Sequence, residues 1–252
     1  MKAIINSSIT ALLAVVAVLI FSAIQTNAAT FTVTTIADSG AGSLRDAVAA
    51  ANTAAGADTI IFSTNLNGQT VRLTTGTLQI TGALTISGPG ANLLTISGNN
   101  TNGIFYVNNQ AVSISGLTLT GGTGSAIDGS TDGSAIFAEG GTLNLNSLQI
   151  SGNATMNGNG TVYFFGGTNH TISNTTFSGN SVESCGGFDN DGGSLAVTNT
   201  TIIGNTATGV ATFGFGGGFC NFGSTTIVNS TITGNSAISG GGGTTFEGTF
   251  SF

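Results

Sequence analysis

A short unit recurs along this chain: an aliphatic or aromatic residue, one variable residue, then Gly-Asn. It is seen as Ile96-Ser-Gly-Asn99, Ile150-Ser-Gly-Asn153, Phe177-Ser-Gly-Asn180, Ile202-Ile-Gly-Asn205 and Ile232-Thr-Gly-Asn235. Aligning the last four units exposes further columns. Six residues before the asparagine stand Ser147, Asn174, Asn199 and Asn229, at steps of 27, 25 and 30 residues. Two residues earlier stand Leu145, Ile172, Val197 and Ile227, and two before those Leu143, His170, Leu195 and Thr225. Self-similarity at this period means a solenoid, a propeller or an array. Within each unit apolar residues alternate over short runs punctuated by glycine and asparagine, which is strand period and not helix period. Leucine-rich repeats need a consensus that is missing, and Trp-Asp blades need tryptophan, of which there is none. A coil of this length accommodates three short strands and three turns, so the expected fold is a parallel β-helix. Equivalent residues of successive coils then lie about 4.8 Å apart. Leu145, Ile172, Val197 and Ile227 form one interior file, glycines serve the corners that need positive φ, and asparagines at one turn position form a hydrogen-bonded ladder.

Composition agrees. Only 5% of the 252 residues are charged, against about 25% in ordinary globular domains, and like charges stacked at every coil would repel. Collagen needs proline and a strict glycine triplet, but the chain has 41 glycines with a single proline. Disorder needs low hydrophobicity, and 40% of this chain is hydrophobic. Of the three basic residues, Lys2 lies in a leader, leaving Arg45 and Arg72 against ten acidic residues. Nucleic acid is excluded as a partner, because phosphate neutralisation needs clustered Lys and Arg; an anionic membrane surface is disfavoured on the same ground.

The amino terminus has the form of an export signal. Lys2 precedes the apolar run Ala11–Ala23, then Gln25 and Thr26-Asn27-Ala28, a pattern that places small residues where a signal peptidase reads. Cleavage is expected after Ala28 or Ala29, giving a leader over 1–29. The apolar run is shorter than the roughly 20 residues a spanning helix needs, and no transmembrane helix is expected in the mature chain. A cap is expected over 30–69. Leu44, Ala47, Val48 and Ala51 make one helical stripe, Ser43 is placed as N-cap with Asp46 three residues on, and Gly56 is placed to close the helix. Such a unit covers the exposed end of a repeat array, which then occupies 70–252.

Several of these segments resemble a known group. Phe31-x-Val33, Asp38-Ser-Gly-Ala-Gly-Ser-Leu-Arg-Asp-Ala-Val48 with Ala51-Asn52, Asp58-Thr-Ile-Ile-Phe62 and Ile86-Ser-Gly-Pro-Gly-Ala91 are similar to the amino-terminal segment of bacterial exported right-handed parallel β-helix proteins with a Cys-Ser-Leu-Arg-Glu-Ala motif. Gly42 replaces the cysteine here and Asp46 the glutamate. Gly217-Gly-Phe-Cys-Asn221 and Phe177-x-x-Asn180 resemble the repeats of polymorphic outer-membrane proteins. The resemblance implies a pectin-lyase-like fold and a secreted or cell-surface setting, with little transferable chemistry.

Candidate chemistry is sparse. A glycosidase needs paired carboxylates, and a lyase needs a base and a cation for the developing anion; Arg45 and Arg72 sit in or near the cap. Asp128, Asp132 and Glu139 form one acidic cluster and Asp189 with Asp191 another, both expected to be solvated turn residues. Gly186-Gly-Phe-Asp-Asn-Asp191-Gly-Gly partly matches a calcium-binding nonapeptide, but once only, and hard cations want six to eight oxygens; an ordinary turn is expected. His170 falls in the inward column and is expected to be hydrogen-bonded at a strand end. The outward column Thr176, Thr201 and Thr231 suits strand surfaces. It is too short an array to suggest an ice-binding face. Cys185 and Cys220 are an even pair in an oxidising setting. The glycine alignment sets Cys220 over Asp189, four residues past the equivalent of Cys185. That is roughly 13 Å of extended strand, beyond the about 7 Å Cα separation of a disulfide. The pair is expected to be unbonded unless a curled glycine turn shortens the path.

At the carboxyl end Phe246, Phe250 and Phe252 alternate, which reads as a chain stopping mid-turn, as in a gene fragment, or as a terminal strand or degraded sorting signal. The expectation is an all-β, right-handed parallel β-helix with a capping helix. It is exported, without assigned catalytic, metal or cofactor residues, and serves as an adhesion or interaction module. A carbohydrate-binding or polysaccharide-degrading protein is the alternative, and polysaccharide or a cell surface the expected partner.

Overall fold

A computed structural model of the protein describes residues 27–251 apart from 125–126, 128–130, 210–213, 239 and 246–248. The apolar leader, Asp128, Phe246 and Phe252 lie outside the described residues. The chain winds through three parallel faces in turn. The first has nine strands, beginning with Thr30–Val33, Asp58–Phe62, Leu84–Ser87 and Ala111–Ser115 and continuing through Thr142–Asn146, His170–Ser173, Ser194–Thr198 and Ser224–Val228 to Thr249–Ser251. The second has seven, from Gln69–Arg72 to Thr231–Thr233, and the third seven, from Leu78–Ile80 to Gly243–Thr245. This is the expected parallel β-solenoid, and its first face already begins within the cap. Among the described residues no helix is long and apolar enough to cross a membrane.

Alternation within each strand builds the core. In Ser194–Thr198, Leu195 and Val197 point inward and are buried while their neighbours face out. Leu145, Ile172, Val197 and Ile227 stack in register, and Ile114, Ile86 and Ile60 continue the file through the earlier coils. None of the seven exceeds 3% exposure. Each such side chain contributes roughly 1.5–3 kcal/mol by leaving water, and a thin tube obtains its core only by repeating that contribution coil after coil.

The corners explain the asparagine columns. Ser147, Asn174, Asn199 and Asn229 have φ of 55°, 50°, 48° and 50°, the left-handed conformation that asparagine tolerates better than most residues. The other column points inward and forms the expected ladder. Asn153 Nδ2 donates to Asn180 Oδ1 at 3.0 Å, Asn180 to Asn205 at 2.8 Å, and Asn205 to Asn235 at 3.0 Å. Each oxygen also accepts from the backbone N–H of the preceding coil's asparagine. Asn99, expected in this column, lies outside it. At φ 59° its N–H is held by Ser97 Oγ, and Gly122 takes the ladder's first place, donating its N–H to Asn153 Oδ1 at 2.8 Å. A Cβ at Gly122 would stand 2.0 Å from the Ser134 carbonyl oxygen, so an asparagine has no room there.

The cap helix spans Leu44–Thr53 and buries Leu44, Ala47, Val48 and Ala51. Ser43 Oγ accepts from the Asp46 N–H, while the Ser43 N–H turns to the Gly40 carbonyl, so only half of a capping box forms. The helix ends at Ala54, whose N–H bonds the Ala50 carbonyl, two residues before the expected Gly56. Asn52 mimics a neighbouring strand for the edge strand Leu78–Ile80: its Nδ2 donates to the Gln79 carbonyl and its Oδ1 accepts the Thr81 N–H, both at 2.8 Å. Such covering blocks edge-to-edge pairing. Asp38 pins the cap loop to the first coil, taking Arg45 on one oxygen and the N–H and hydroxyl groups of Thr74 and Thr75 on the other. Burial raises its pKa, but the bonds to Arg45, Thr75 and Thr74 outweigh that and hold it near about 2.

Candidate functional site

From the third coil onward the connection between the second and third faces lengthens. These connections fold back over the third face and stack on one another, pairing at Ser181–Val182 with Thr206–Ala207 and at the bridges Ala154–Ser181 and Asn159–Ser184. Outward-pointing residues of the third face are therefore covered. They form a column in register, Tyr106, Phe137, Tyr163, Asp189 and Cys220, of which Phe137 at 9% is the most exposed. The first three rings lie 5.4 and 5.3 Å apart in tilted pairs of the kind aromatic rings favour. The next outward column is Glu139, Phe165 and Asp191. Tyr106 donates its hydroxyl to Glu139, Tyr163 donates to Asp191 at 2.8 Å, and the Phe165 ring stands half exposed between the two carboxylates. Burial first, then Asp191, drives the Tyr163 pKa far upward.

Asp189 and Asp191 are thus not the solvated turn groups expected from sequence: both belong to the third-face strand Phe188–Asp191, Asp189 buried under the fold-backs and Asp191 partly exposed at the strand's end, whereas Asp132 lies in a connection and is partly exposed. Asp189 is 3% exposed, and its Oδ1 has no hydrogen-bond partner among the described residues. Burial, then the charges of Asp191 and Asp132, pushes its pKa up to about 8. Asp132 accepts the Asn159 N–H at 2.7 Å.

Beside Asp189 lies the largest departure from the sequence expectation: Cys185 and Cys220 form a disulfide, with Cα atoms 5.1 Å apart. The register was as expected, with Asp189 over Cys220; the geometry of the intervening chain was not. Cys185 has φ 65° and Gly216, in the next coil, φ 54°, so both strands enter the third face through a left-handed turn and not along an extended line. The Cys185 N–H bonds the Phe215 carbonyl, and Gly216 has no Cβ to crowd Cys220 Sγ, which lies 2.9 Å from where that Cβ would be. Gly160 holds φ 61° one coil earlier. The one signal available in the sequence was a cysteine standing where neighbouring coils carry glycine. Cys185, Asp189 and Cys220 gather their ligand atoms within 4.8 Å, but both sulfurs are committed to the disulfide, which leaves no thiolate for a metal. Removing the bond by Cys185→Ser with Cys220→Ser is expected to lower stability by about 3–4 kcal/mol, from loop closure over a 35-residue separation, read as the shift in a urea midpoint.

The other single residues are placed as follows. His170 is fully buried; Nδ1 accepts the Leu143 N–H at 3.0 Å and Nε2 faces the Gly166 carbonyl at 2.9 Å, which puts the proton on Nε2. Burial lowers its pKa. It is the hydrogen-bonded strand-end histidine expected. Thr176, Thr201 and Thr231 stand in register on the second face. Arg72 is exposed at the first strand of that face, and Arg45 is tied to Asp38 at 2.8 Å.

Over the stacked fold-backs runs an open cleft of about 710 Å³. It is lined by Thr123, Thr155, Ser181, Thr208, Glu183 and Met156, the last 85% exposed. Thr131 borders it, its hydroxyl donating to the Asn157 carbonyl. Neither this cleft nor the aromatic column was singled out in the sequence: the cleft residues come from connections of irregular length that the repeat columns do not align, and the aromatic residues stand on the outward side of third-face strands.

No family model matches the sequence, and no curated protein matches it. Among solved structures, the crystal structure of Jun a 1, the major allergen from cedar pollen, is similar over 79% of this chain at 18% identity and a TM-score of 0.44. The matched region makes up 65% of that protein's own chain.

Proposed function

We propose that the mature chain is an exported polysaccharide-binding solenoid, at the cell surface or secreted, and that a neutral glycan lies in the cleft over the fold-backs. The cleft carries this reading. It is open, and it is lined by threonines and a serine together with Ala154 and Met156, a mixture of residue types that suits the hydroxyls and ring faces of a sugar chain. Export is supported by Lys2 with the apolar run Ala11–Ala23 and by a disulfide, which persists in oxidising compartments. Glu183 and a net charge of −7 disfavour polyuronates and other acidic chains.

A degradative role is the second reading, favoured by one observation. Asp189, with its raised pKa, stands two residues from Asp191 on the same strand, and a carboxyl that burial keeps protonated beside a second carboxyl is an arrangement that suits a general acid. Against it, Asp189 lies beneath the fold-backs and the disulfide. The purified mature chain is expected to be retarded in affinity gels by neutral polysaccharides and not by polyuronates. Met156→Asp, at an exposed position, is expected to weaken retention about tenfold, or roughly 1.4 kcal/mol. Absence of retention by any polysaccharide overturns the proposal; sugar release that is lost in Asp189→Asn or Asp191→Asn establishes the degradative reading instead.

A further inference from the structure

The strand Asp58–Phe62 opens on a carboxylate that is 1% exposed. One oxygen, Oδ1, accepts the Ala29 N–H at 2.7 Å; the other, Oδ2, is buried without a hydrogen-bond partner among the described residues. An ionised carboxylate half satisfied in this way is costly to bury unless an opposite charge reaches it. Arg45 is bound to Asp38 and Arg72 is exposed on the second face. The group already at Asp58 is the Ala29 nitrogen, which as a peptide amide has a single hydrogen to give.

Two further contacts fix that nitrogen. The Ala29 carbonyl accepts the Thr59 N–H at 2.8 Å, and Thr30 pairs with Thr59 at the start of the first face. The chain ahead of it passes over Gly56, where a Cβ would lie 3.1 Å from the Ala28 nitrogen, and Asn27 and Ala28 are exposed. Ala29 is therefore the first residue the fold holds by its backbone on both sides.

We infer that the leader is cut between Ala28 and Ala29 and that Asp58 is the built receptor for the α-ammonium this creates. The inference rests on the export reading. In the cut, water supplies a hydroxyl to the Ala28 carbonyl carbon and a proton to the departing Ala29 nitrogen, and a second proton from solvent completes the ammonium. An ammonium has three donors where the amide had one, so it answers both Asp58 oxygens and brings the missing positive charge. Cleavage one residue later, after Ala29, removes the Oδ1 donor and the acceptor for the Thr59 N–H together. Processing thus turns an incompletely paired carboxylate into an ion pair that locks the first strand against the second.

Two measurements test this. Intact mass and amino-terminal sequencing of the exported protein are expected to give Ala29 as first residue; a chain starting at Thr30 overturns the inference, whereas an uncut chain retained in the cell sinks the export reading itself. Independently of export, three purified chains are compared: one released from a fusion with a free Ala29, the same chain acetylated at that amine, and one retaining Ala28. The free-Ala29 chain is expected to melt about 5 °C above the other two, a gap that Asp58→Asn closes. Equal melting of the three chains overturns the receptor role even if the cut is where expected.

Discussion

Replacing Asn180 with leucine, which is similar in size, is expected to lower the melting midpoint by about 10 °C, while Asn99→Gly leaves it nearly unchanged. Both asparagines sit in the same sequence unit, Ile or Phe, Ser, Gly, Asn, yet only one is in the ladder. Asn180 is 1% exposed and its side chain makes four bonds: Nδ2 to the Ile150 carbonyl at 3.0 Å and to Asn205 Oδ1, and Oδ1 from the Asn153 N–H and the Asn153 amide. Leucine fills the volume but strands the buried Asn153 N–H. An orphaned buried donor costs about 1–3 kcal/mol and each of the three other lost bonds about 1 more, giving roughly 4–6 kcal/mol in all; at roughly 2–4 °C per kcal/mol for a chain this long the stated shift is at the lower end of what this implies. Asn99 is bonded only locally, through its own N–H to Ser97 Oγ, and glycine accepts its φ of 59° without penalty. A second readout locates the damage: the Asn153 amide is expected to exchange with solvent far faster in the variant, while Ile60 and Ile86, several coils away, keep their protection, because each coil of a solenoid contacts only its neighbours. Equal melting of Asn180→Leu and the parent protein would remove the ladder from the list of what holds the corner closed.

The contrast between these two asparagines also marks what the sequence made legible. Where every coil has the same length between landmarks, a column of residues is a column in space. Hence the file from Leu145 to Ile227, an asparagine ladder at one turn position and the burial of His170 were all readable, whereas the left-handed φ of Asn174, Asn199 and Asn229 falls on residues where glycine was expected to serve. Asn99 failed because its neighbour one coil on is Gly122, hemmed in by Ser134, a contact made by an insertion that no repeat column contains. The disulfide failed for a related reason. Its register was correct, but the separation of Cys185 from Cys220 was converted to distance as though the chain were extended, and a single residue at φ 65° folds it back. The aromatic column and the cleft were out of reach for a third reason: burial of outward residues depends on which loop lies over them, and strand alternation places Tyr163 and Asp189 on the solvent side. The role of Asp38 was out of reach as well: it stands in the cap loop, and its partners, Thr74 and Thr75, are brought to it only by the first coil.

Asp189→Asn is expected to raise stability, by an amount that grows with pH. The aspartate titrates near its ordinary value of 3.8 in the unfolded chain and near about 8 when folded, because burial, Asp191 and Asp132 all oppose its charge. The folded state therefore holds the proton more tightly, and the stability that goes with it is fully present below pH 4. As pH rises from 4 the unfolded chain gives up its proton and the folded chain does not, so stability falls until the folded group also ionises near pH 8, after which the loss is constant. At about 1.4 kcal/mol per unit of displacement, the loss at pH 8 is on the order of 5 kcal/mol. Asparagine keeps the shape and has no proton to lose. The two proteins are expected to melt together at pH 4 and about 10 °C apart at pH 8, the variant higher. Asp38 works in the other direction: its lowered pKa means its contribution is present above pH 4 and is lost as pH falls through about 2. With both groups acting, the parent protein is most stable in a mildly acidic window, and the variant carries that optimum toward neutral pH. A gap between the two proteins that is the same at pH 4 and pH 8 would mean that Asp189 is charged in the folded state throughout, and that its unpaired oxygen is reached by water or a cation.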